Sequence, residues 1–291
     1  MPASKRFLVI VRAGDRSLHP GWTNSVSTRN WDLIASYFGG DPELYRTDGE
    51  VRIDDRGPKW PGLHALLTRD QRWRDYDYVW LPDDDLAIDE TRINRLFALV
   101  ASSELHLAQP TLSWVSFYSY EQTLRHPSFR LRYTNFVEVM APCFESSFLA
   151  RCLPTLAENQ SGWGLGYVWA RTLADPARGC AMIDEVELTH TRPVGGPNMA
   201  AVLATGSTPK AEYHALLRKH SFPARMRPVA HAGIDIAGNL LTDAEGENSS
   251  LRALLHRDRQ AFLASRLRLD LGPGMLPVDE LRVRAPRRNP S

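Results

Sequence analysis

Three consecutive carboxylates, Asp83, Asp84 and Asp85, are the residues of this chain best placed to do chemistry. They directly follow residues 78–81, a short aromatic and branched run that predicts a buried strand. In an open α/β sheet, ligands bind at the carboxyl ends of the strands. Asp83 and Asp85, two apart on an extended chain, point to the same side and can offer oxygens to one Mg²⁺ or Mn²⁺ ion. The structural alternative is a solvated acidic turn, with Asp89 capping the next helix.

A second group of candidate residues ends a later predicted strand, residues 181–190. His190 at its end is a candidate third ligand beside Asp83 and Asp85, and imidazole suits Mn²⁺ better than Mg²⁺. Arg192 follows, and an arginine beside a metal neutralises the charge that develops on a diphosphate leaving group. A lone histidine is more often an ordinary hydrogen-bonded residue, so the interpretation depends on its place at a strand end.

Composition sets the broad class. The 291 residues suffice for one large domain or a domain with an appendage, and 43% hydrophobic and 24% charged residues are typical of a soluble globular protein. A net charge of +1 argues against a nucleic-acid binder. The early apolar run at residues 7–11 is too short for a signal or membrane segment, so we predict a cytoplasmic protein. Three cysteines without CxxC spacing indicate neither a disulfide framework nor a zinc site.

The elements that would position these groups alternate between strand and helix, which is typical of an α/β fold. Residues 12–16, with Arg12, form a polar turn that either meets a nucleotide or is only a turn. Glu138 lies inside an apolar run, where it is either on an exposed face or paired. The predicted strands are 7–11, 78–81, 105–110, 135–141 and 181–190, and the predicted helices are 30–38, one beginning at Pro61, 93–100 and one through 168–173.

Aromatic residues mark two further segments. Glycines flank Trp163, and such a turn presents an indole face as sugar-binding sites often do, although a buried tryptophan is the alternative. Residues 114–133 are rich in aromatics and arginine without a clean period, which suits a long loop at an acceptor surface or a loop with its own aromatic core.

The pattern and composition of the sequence change beyond residue 198. Residues 213–219 and 251–267 have helical patterns, and residues 243–250 form a polar linker. From Leu251 to Ser291 there are nine arginines, four acids and no lysine. Such a tail can rest on anionic lipid or polyanionic glycan, and a solvated helical face is the commoner outcome.

Several short motifs, in this order, resemble a known family. The chain resembles the nucleotide-sugar glycosyltransferases of the GT-A fold, and more closely the glycosyltransferase-like family catalogued as domain of unknown function 707. The motifs are Gly57-Pro58-Lys59-Trp60-Pro61, Trp80-Leu81-Pro82-Asp83-Asp84-Asp85-Leu86, Gln109-Pro110, Phe136-Val137-Glu138-Val139-Met140-Ala141-Pro142, Gly162-Trp163-Gly164-Leu165 and His190-Thr191-Arg192-Pro193.

This resemblance implies an α/β, GT-A-like, single-sheet Rossmann-type fold with a helical C-terminal extension. The catalytic domain would span residues 1–197, with a nucleotide half of about 1–110 and an acceptor half of about 111–197. Residues 198–291 would form the helical, arginine-rich extension. The implied activity moves a sugar from a nucleotide-diphosphate donor to a glycan, glycolipid or small-molecule hydroxyl, with Mn²⁺ or Mg²⁺ as cofactor.

The resemblance also implies roles for individual residues. Asp85 and His190 would ligate the metal, and Asp83 would lie near the ribose or the water shell of the metal. Trp163, with Gly164, would stack on a sugar. The implied donor contacts are Lys59 and Arg192 at phosphate, together with Arg12, Asp54 and Asp84.

One position departs from the pattern of the resembled families. An acid commonly follows the Gly-Trp-Gly-Leu run there, and this chain has Gly166. A direct-displacement transferase needs a carboxylate that takes the proton of the acceptor hydroxyl. The candidates elsewhere are Glu138, Glu145, Asp184 and Glu185; otherwise the enzyme retains configuration or has lost activity.

Two other functional classes stay open at the level of sequence. A non-catalytic nucleotide-sugar or carbohydrate-binding protein on the same fold is suggested by Gly166. A metal-dependent phosphohydrolase or nucleotidyltransferase would use the acid triplet differently, and it would release phosphate or pyrophosphate.

Overall fold

The computed structural model describes residues 7–23, 28–46, 50–193, 202–243 and 250–268, the last with side chains to residue 265. Strands and helices alternate through most of these segments. The strands are β1 (Phe7–Ala13), β2 (Trp31–Tyr37), β3 (Val51–Asp54), β4 (Tyr78–Trp80), β5 (Leu86–Ala87), β6 (Leu107–Leu112), β7 (Phe129–Thr134), β8 (Cys143–Glu145), β9 (Cys180–His190), β10 (Ala230–Asp235) and β11 (Leu240–Thr242). The helices are α1 (Lys59–Arg69), α2 (Glu90–Ser102), α3 (Ser146–Cys152), α4 (Leu165–Thr172), α5 (Pro209–Lys219) and α6 (Ser250–Arg268).

Ten strands form one sheet in the order β11-β10-β7-β9-β6-β8-β4-β1-β2-β3, and β5 pairs with β9. Strands β4, β1, β2 and β3 are mutually parallel. β8 runs antiparallel between β4 and β6, so β6 and its parallel neighbour β9 have the same direction as β4. The predicted α/β class with one large sheet is confirmed. The carboxyl ends of β1, β4 and β9 therefore lie on the same edge of the sheet.

Both faces of the sheet are buried, each against its own hydrophobic core. Along β1, Val9 and Val11 join the core that contains Phe97 of α2, while Leu8 and Ile10 join the core that contains Leu63 of α1. This alternation follows from the two-residue period of a strand. Asp89 accepts a hydrogen bond from Arg92 N and caps α2, which confirms that prediction.

The prediction of a helix over residues 30–38 is wrong, because this segment is β2. Trp31, Ile34, Ala35 and Phe38 have helical spacing, but β2 lies between β1 and β3 and is buried at almost every position. A parallel strand covered on both faces reads as a continuous apolar run, in which helical spacing arises without a helix.

Residues 135–141 do not form the predicted strand either. Their polar backbone groups bond to side chains and to the acid segment instead of to a ladder. Gln109 accepts from Glu138 N, Lys59 donates to the carbonyl of Val139 at 2.8 Å, and Asp83 N donates to the carbonyl of Met140 at 2.7 Å. The segment is therefore a wall of the site that the acids occupy.

The chain beyond residue 201 is helical only in part. β10 and β11 extend the main sheet through β7, and α6 contacts β11. The boundary at residues 197/198 stays a prediction, and most of the predicted 243–250 linker lies outside the described residues. Arg252 and Arg259 of α6 pair with Asp243 and Glu121. Within the described segments, no helix is both long and apolar enough to cross a membrane.

Candidate active site at the carboxyl ends of β1, β4 and β9

The acid triplet lies between β4 and β5 at the edge where the parallel strands end. β5 pairs antiparallel with β9 so that Leu86 is opposite His190. This pairing brings residues 85 and 190 together although they are more than a hundred positions apart in sequence. The polar turn after β1 reaches the same edge, since Leu18 N donates to the carbonyl of Asp84 at 2.7 Å.

Asp85 and His190 face one another. His190 Nε2 lies 3.3 Å from Asp85 Oδ2, and His190 Nδ1 donates to the carbonyl of Phe117 at 2.8 Å. Burial disfavours the charged imidazole, but the hydrogen bond and charge of Asp85 outweigh it and raise the pKa of His190 to about 9. The other carboxylate oxygen, Asp85 Oδ1, is buried and has no hydrogen-bond partner within the described residues.

Asp84 connects the β1 turn to the segment after β9. Its Oδ2 accepts from Gly14 N at 2.8 Å, and its Oδ1 lies 3.3 Å from Arg192 Nη1. Burial raises the pKa of Asp84, and the Gly14 amide and the Arg192 guanidinium act in the opposite direction. Tyr45 fixes the same turn, since its hydroxyl donates to the Gly14 carbonyl at 2.9 Å.

Asp83 is held by Lys59, the first residue of α1. Lys59 Nζ lies 2.6 Å from Asp83 Oδ1 and 2.8 Å from the carbonyl of Val139. The lysine is buried, and burial lowers the pKa of its ammonium, whereas burial raises the pKa of Asp83. Lys59 thus ties the acid segment to the wall formed by residues 135–141.

Each of the three carboxylates therefore has a cationic partner from the chain itself, in the pairs Asp83 with Lys59, Asp84 with Arg192 and Asp85 with His190. These pairs account for how adjacent acids are tolerated at one strand end. In the part of the chain that the structure describes, no group of three or more His, Cys, Asp or Glu side chains is arranged to hold a metal ion. The predicted three-ligand set is not assembled, because Lys59 engages Asp83.

Two residues, His190 and Asp85, are suited to bind a metal ion. The hydrogen bond from Nδ1 to a backbone carbonyl fixes the imidazole of His190 so that Nε2 is directed at Asp85, which is the usual arrangement around a metal-binding histidine. Asp85 adds a buried oxygen that has no hydrogen-bond partner in the described chain. Carboxylate and imidazole together suit Mn²⁺.

The Gly-Trp-Gly turn lies against α1, next to Lys59. Gly162 and Gly164 have φ angles of 77° and 95°, a left-handed backbone that favours glycine. A Cβ on Gly162 would lie 2.2 Å from Trp60 Nε1, so the turn packs directly on the residue that follows Lys59. Trp163 between the glycines is half-buried.

Gly166 is fixed by packing. A Cβ at this position would lie 1.8 Å from the backbone oxygen of Val137, so no side chain fits without movement of the backbone. The next residue along the 135–141 wall is Glu138, which is 8% exposed. Burial raises the pKa of Tyr167, the residue after Gly166, and the charge of the neighbouring Glu138 acts in the same direction.

The other candidate bases are paired at some distance from the acid triplet. Arg132 binds Asp184 through both carboxylate oxygens, at 2.7 and 2.9 Å, and both side chains are buried. Asp184 precedes His190 by six residues on β9, roughly 20 Å along a strand. Glu185 pairs with Arg95 and Arg130.

Glu145 pairs with His106 at 2.7 Å on an exposed surface. Its carboxylate also accepts from the hydroxyl of Ser147 at 2.8 Å.

Two of the residues that were predicted to contact the donor, Arg12 and Asp54, bind other groups of the protein instead. The buried guanidinium of Arg12 donates to the carbonyls of Asp55 and Gly57 and pairs with the Asp55 carboxylate at 3.2 Å. Arg12 thus holds the turn that leads into α1. Asp54 is 61% exposed and pairs with Arg52 at 2.6 Å.

Three participants escaped the sequence analysis. The carbonyl of Phe117 orients His190, the amide of Gly14 binds Asp84, and the hydroxyl of Tyr45 fixes the turn. The first two act through backbone groups, which carry no side-chain signal. The polar turn after β1 was the only sequence feature that pointed to Gly14. No sequence feature pointed to Tyr45.

No family model matches this chain, and no curated protein does. The resemblance to the domain of unknown function 707 family is therefore not confirmed. Solved structures do match the chain. A mannosyltransferase from Pyrobaculum calidifontis, in complex with GDP-Man and Mn²⁺, is 14% identical with a TM-score of 0.46, over 73% of this chain and 64% of that one.

Glucosyl-3-phosphoglycerate synthase from Mycobacterium tuberculosis, in complex with Mn²⁺, UDP-glucose and phosphoglyceric acid, is 12% identical with a TM-score of 0.45, over 76% of this chain and 82% of that one. S. aureus TarS is 10% identical with a TM-score of 0.43, over 74% of this chain and 43% of that one. The chain thus spans less than two thirds of the mannosyltransferase and of TarS.

Proposed function

We propose that this protein is a metal-dependent glycosyltransferase that takes a sugar from a nucleotide-diphosphate donor. One observation carries the proposal: His190 Nε2 is directed at Asp85 at 3.3 Å, and Asp85 Oδ1 lies beside it without a hydrogen-bond partner in the described chain. This pair is a two-residue ligand set at the edge of the sheet where its parallel strands β1, β4 and β9 end, the usual place for ligands in α/β sheets.

Asp85 and His190 would hold Mn²⁺ or Mg²⁺, and the bound ion would supply positive charge to the donor diphosphate. Arg192 lies next to this pair and is oriented by Asp84, so its guanidinium is available to the same diphosphate. Lys59 is buried and keeps Asp83 and the Val139 carbonyl in place, so we assign it a positioning role. Asp83, held in this way, would bind the donor ribose or a water.

Glu138 is the base that we propose for an inverting transfer. It belongs to the segment that Lys59 anchors beside Asp83, whereas Asp184, Glu185 and Glu145 bind partners at other places in the fold. Glu138 would accept the proton of the acceptor hydroxyl as the oxygen attacks the donor sugar. Trp163, presented by its two glycines, would stack on a sugar ring.

The acceptor is a hydroxyl of a glycan, a glycolipid or a small molecule, and we place the protein in the cytoplasm. Arg12 and Asp54 are left out of the donor site because one is buried in the protein and the other is paired at the surface. Contact of the arginine-rich C-terminus with a membrane stays a prediction; four of its nine arginines follow residue 268 and lie outside the described residues.

Calorimetric titration with UDP-, GDP-, CMP- and dTDP-sugars, with Mn²⁺ and with chelator, tests this function. We expect one donor to bind only with the metal and Asp85→Asn to abolish that binding. Asp175→Asn, at an exposed carboxylate that accepts from Ala177 N, is the matched control and should bind normally. Failure of every donor to bind folded protein would contradict the proposal. Release of phosphate or pyrophosphate instead of a nucleoside diphosphate would identify a phosphohydrolase or nucleotidyltransferase, and donor binding without turnover would identify a binding protein.

A further inference from the structure

A second concave region lies apart from the acid triplet, between α6, residues 114–126 and residues 226–230. Its volume is about 650 Å³, and none of the residues that line it belongs to the acid triplet or its cationic partners. Cavities of roughly 300–1,000 Å³ are the usual size of small-molecule sites. This region is thus large enough for a ligand of its own.

The inner wall of this cavity is apolar and aromatic. Trp114 and Phe262 pack edge to face with ring centroids 5.9 Å apart, and Leu124 and Met226 complete the wall. The indole nitrogen of Trp114 donates to the carbonyl of Arg125 at 2.9 Å, so the ring is held in one orientation. A flat apolar body fits against such a wall.

Charged side chains also line the cavity, and most of them are paired. Five arginines and three carboxylates line the cavity; the arginines are Arg125, Arg132, Arg227, Arg252 and Arg259, and the carboxylates are Glu121, Asp243 and Asp258. Four of these arginines bind carboxylates: Arg252 pairs with Asp243, Arg259 with Glu121, Arg125 with Glu187, and the buried Arg132 with Asp184. Arg227 is exposed and has no ion-pair partner within the described residues, so its charge is available to an anion.

The cavity is preformed because α6 is tied firmly to the sheet. Asp258 is buried and accepts from Ser128 N at 3.0 Å and from Ser128 Oγ at 2.6 Å. Phe262, one turn later on the same face of α6, packs against Trp114 and Tyr118. A ligand therefore does not have to order this helix, which lowers the cost of binding.

We propose that this cavity is a binding site for a small amphipathic anion, with an aromatic or apolar body against Trp114 and Phe262 and an acidic group at Arg227. The exposed Arg227 beside the apolar wall calls for these two parts in one molecule. The site does not depend on the sugar-transfer activity, because it shares no residue with the acid triplet.

Fluorescence titration of the full-length protein with anilinonaphthalene sulfonate, an aromatic anion, tests the site, with neutral N-phenylnaphthylamine as the uncharged counterpart. We expect saturable one-to-one binding of the anion and weaker binding of the neutral probe. The substitution Arg227→Ala should weaken the binding of the anionic probe about fivefold. Leu255→Trp, which fills the cavity from α6, should abolish binding, and Arg178→Ala, at an exposed arginine outside the cavity, should change nothing.

Circular dichroism and thermal unfolding of each variant establish that it is folded. Unchanged anion binding in Leu255→Trp, or no saturable binding to the wild type, would overturn the site. Equal binding of the two probes, with no effect of Arg227→Ala, would overturn the assignment of an anion.

Discussion

The backbone oxygen of Val137 lies 1.8 Å from the point that a Cβ atom on Gly166 would occupy. α4 therefore begins in direct contact with the segment that carries Glu138. Gly166 follows the Gly-Trp-Gly-Leu run, and the chain path leaves no space for a side chain at this position. The neighbouring Glu138 is the carboxylate that the same contact brings to this region.

We expect Gly166→Ala to lower the free energy of unfolding by about 3 kcal/mol, because the added methyl group must displace backbone. Gly166→Asp should be at least as destabilising. Gly21→Ala is the matched control, since no atom lies within 4 Å of its added Cβ, and it should be as stable as the wild type or up to about 1 kcal/mol more stable. Urea unfolding measures all three, and a stable Gly166→Asp would refute the packing argument.

Glu138→Gln should reduce turnover about a hundredfold or more while leaving donor affinity unchanged, because an amide of the same shape cannot take the acceptor proton. Steady-state kinetics and donor calorimetry measure the two effects separately. Glu145→Gln, at the surface pair with His106, serves as the control and should remain active. Full activity in Glu138→Gln, or an equal loss of donor binding, would exclude Glu138 as the base.

Local patterns predicted the parts of the fold where one face or one end of an element has a distinctive composition. The runs that became β1 and β4 were recognised because they are apolar and end in polar residues. β2 was mistaken for a helix because it is buried on both faces, which removes the alternation that marks a strand. The strand expected at residues 135–141 failed because Gln109 and Lys59 satisfy its backbone groups.

Only the side chains at the ends of predicted strands could be assigned to the site from the sequence. Asp85 and His190 lie 3.3 Å apart, as expected for residues at the ends of two strands of one sheet, and their role as metal ligands stays a prediction. The pairing of Asp83 with Lys59 was not foreseen, because nothing local in the sequence shows that the start of α1 faces the acids. The same limit applies to Phe117 and Val137, which act through backbone oxygens and leave no signal in residue type.

Lys59→Met should lower the free energy of unfolding by about 2–3 kcal/mol, because it leaves Asp83 and the Val139 carbonyl without their donor. The figure is below that for a fully buried pair because the Asp83 side chain is 32% exposed. Asp83→Asn in the Lys59→Met background should recover part of the loss by removing the uncompensated charge. Lys219→Met, at a lysine that is 62% exposed and pairs with Glu158, is the control and should cost little. Wild-type stability of Lys59→Met would mean that the pair is not structural.

Binding of Mn²⁺ should strengthen as pH rises towards about 9. Asp85 raises the pKa of His190 to about 9 against the opposing effect of burial, so at neutral pH a proton occupies the Nε2 that a metal requires. Below that pKa the metal must displace the proton, and the apparent affinity should rise about tenfold per pH unit, then level off above about pH 9. Titration of Mn²⁺ at pH values of about 7, 8 and 9, followed by the paramagnetic resonance of the free ion, measures the slope. His190→Gln should bind weakly with no such slope, and a wild-type affinity independent of pH would exclude His190 as a ligand.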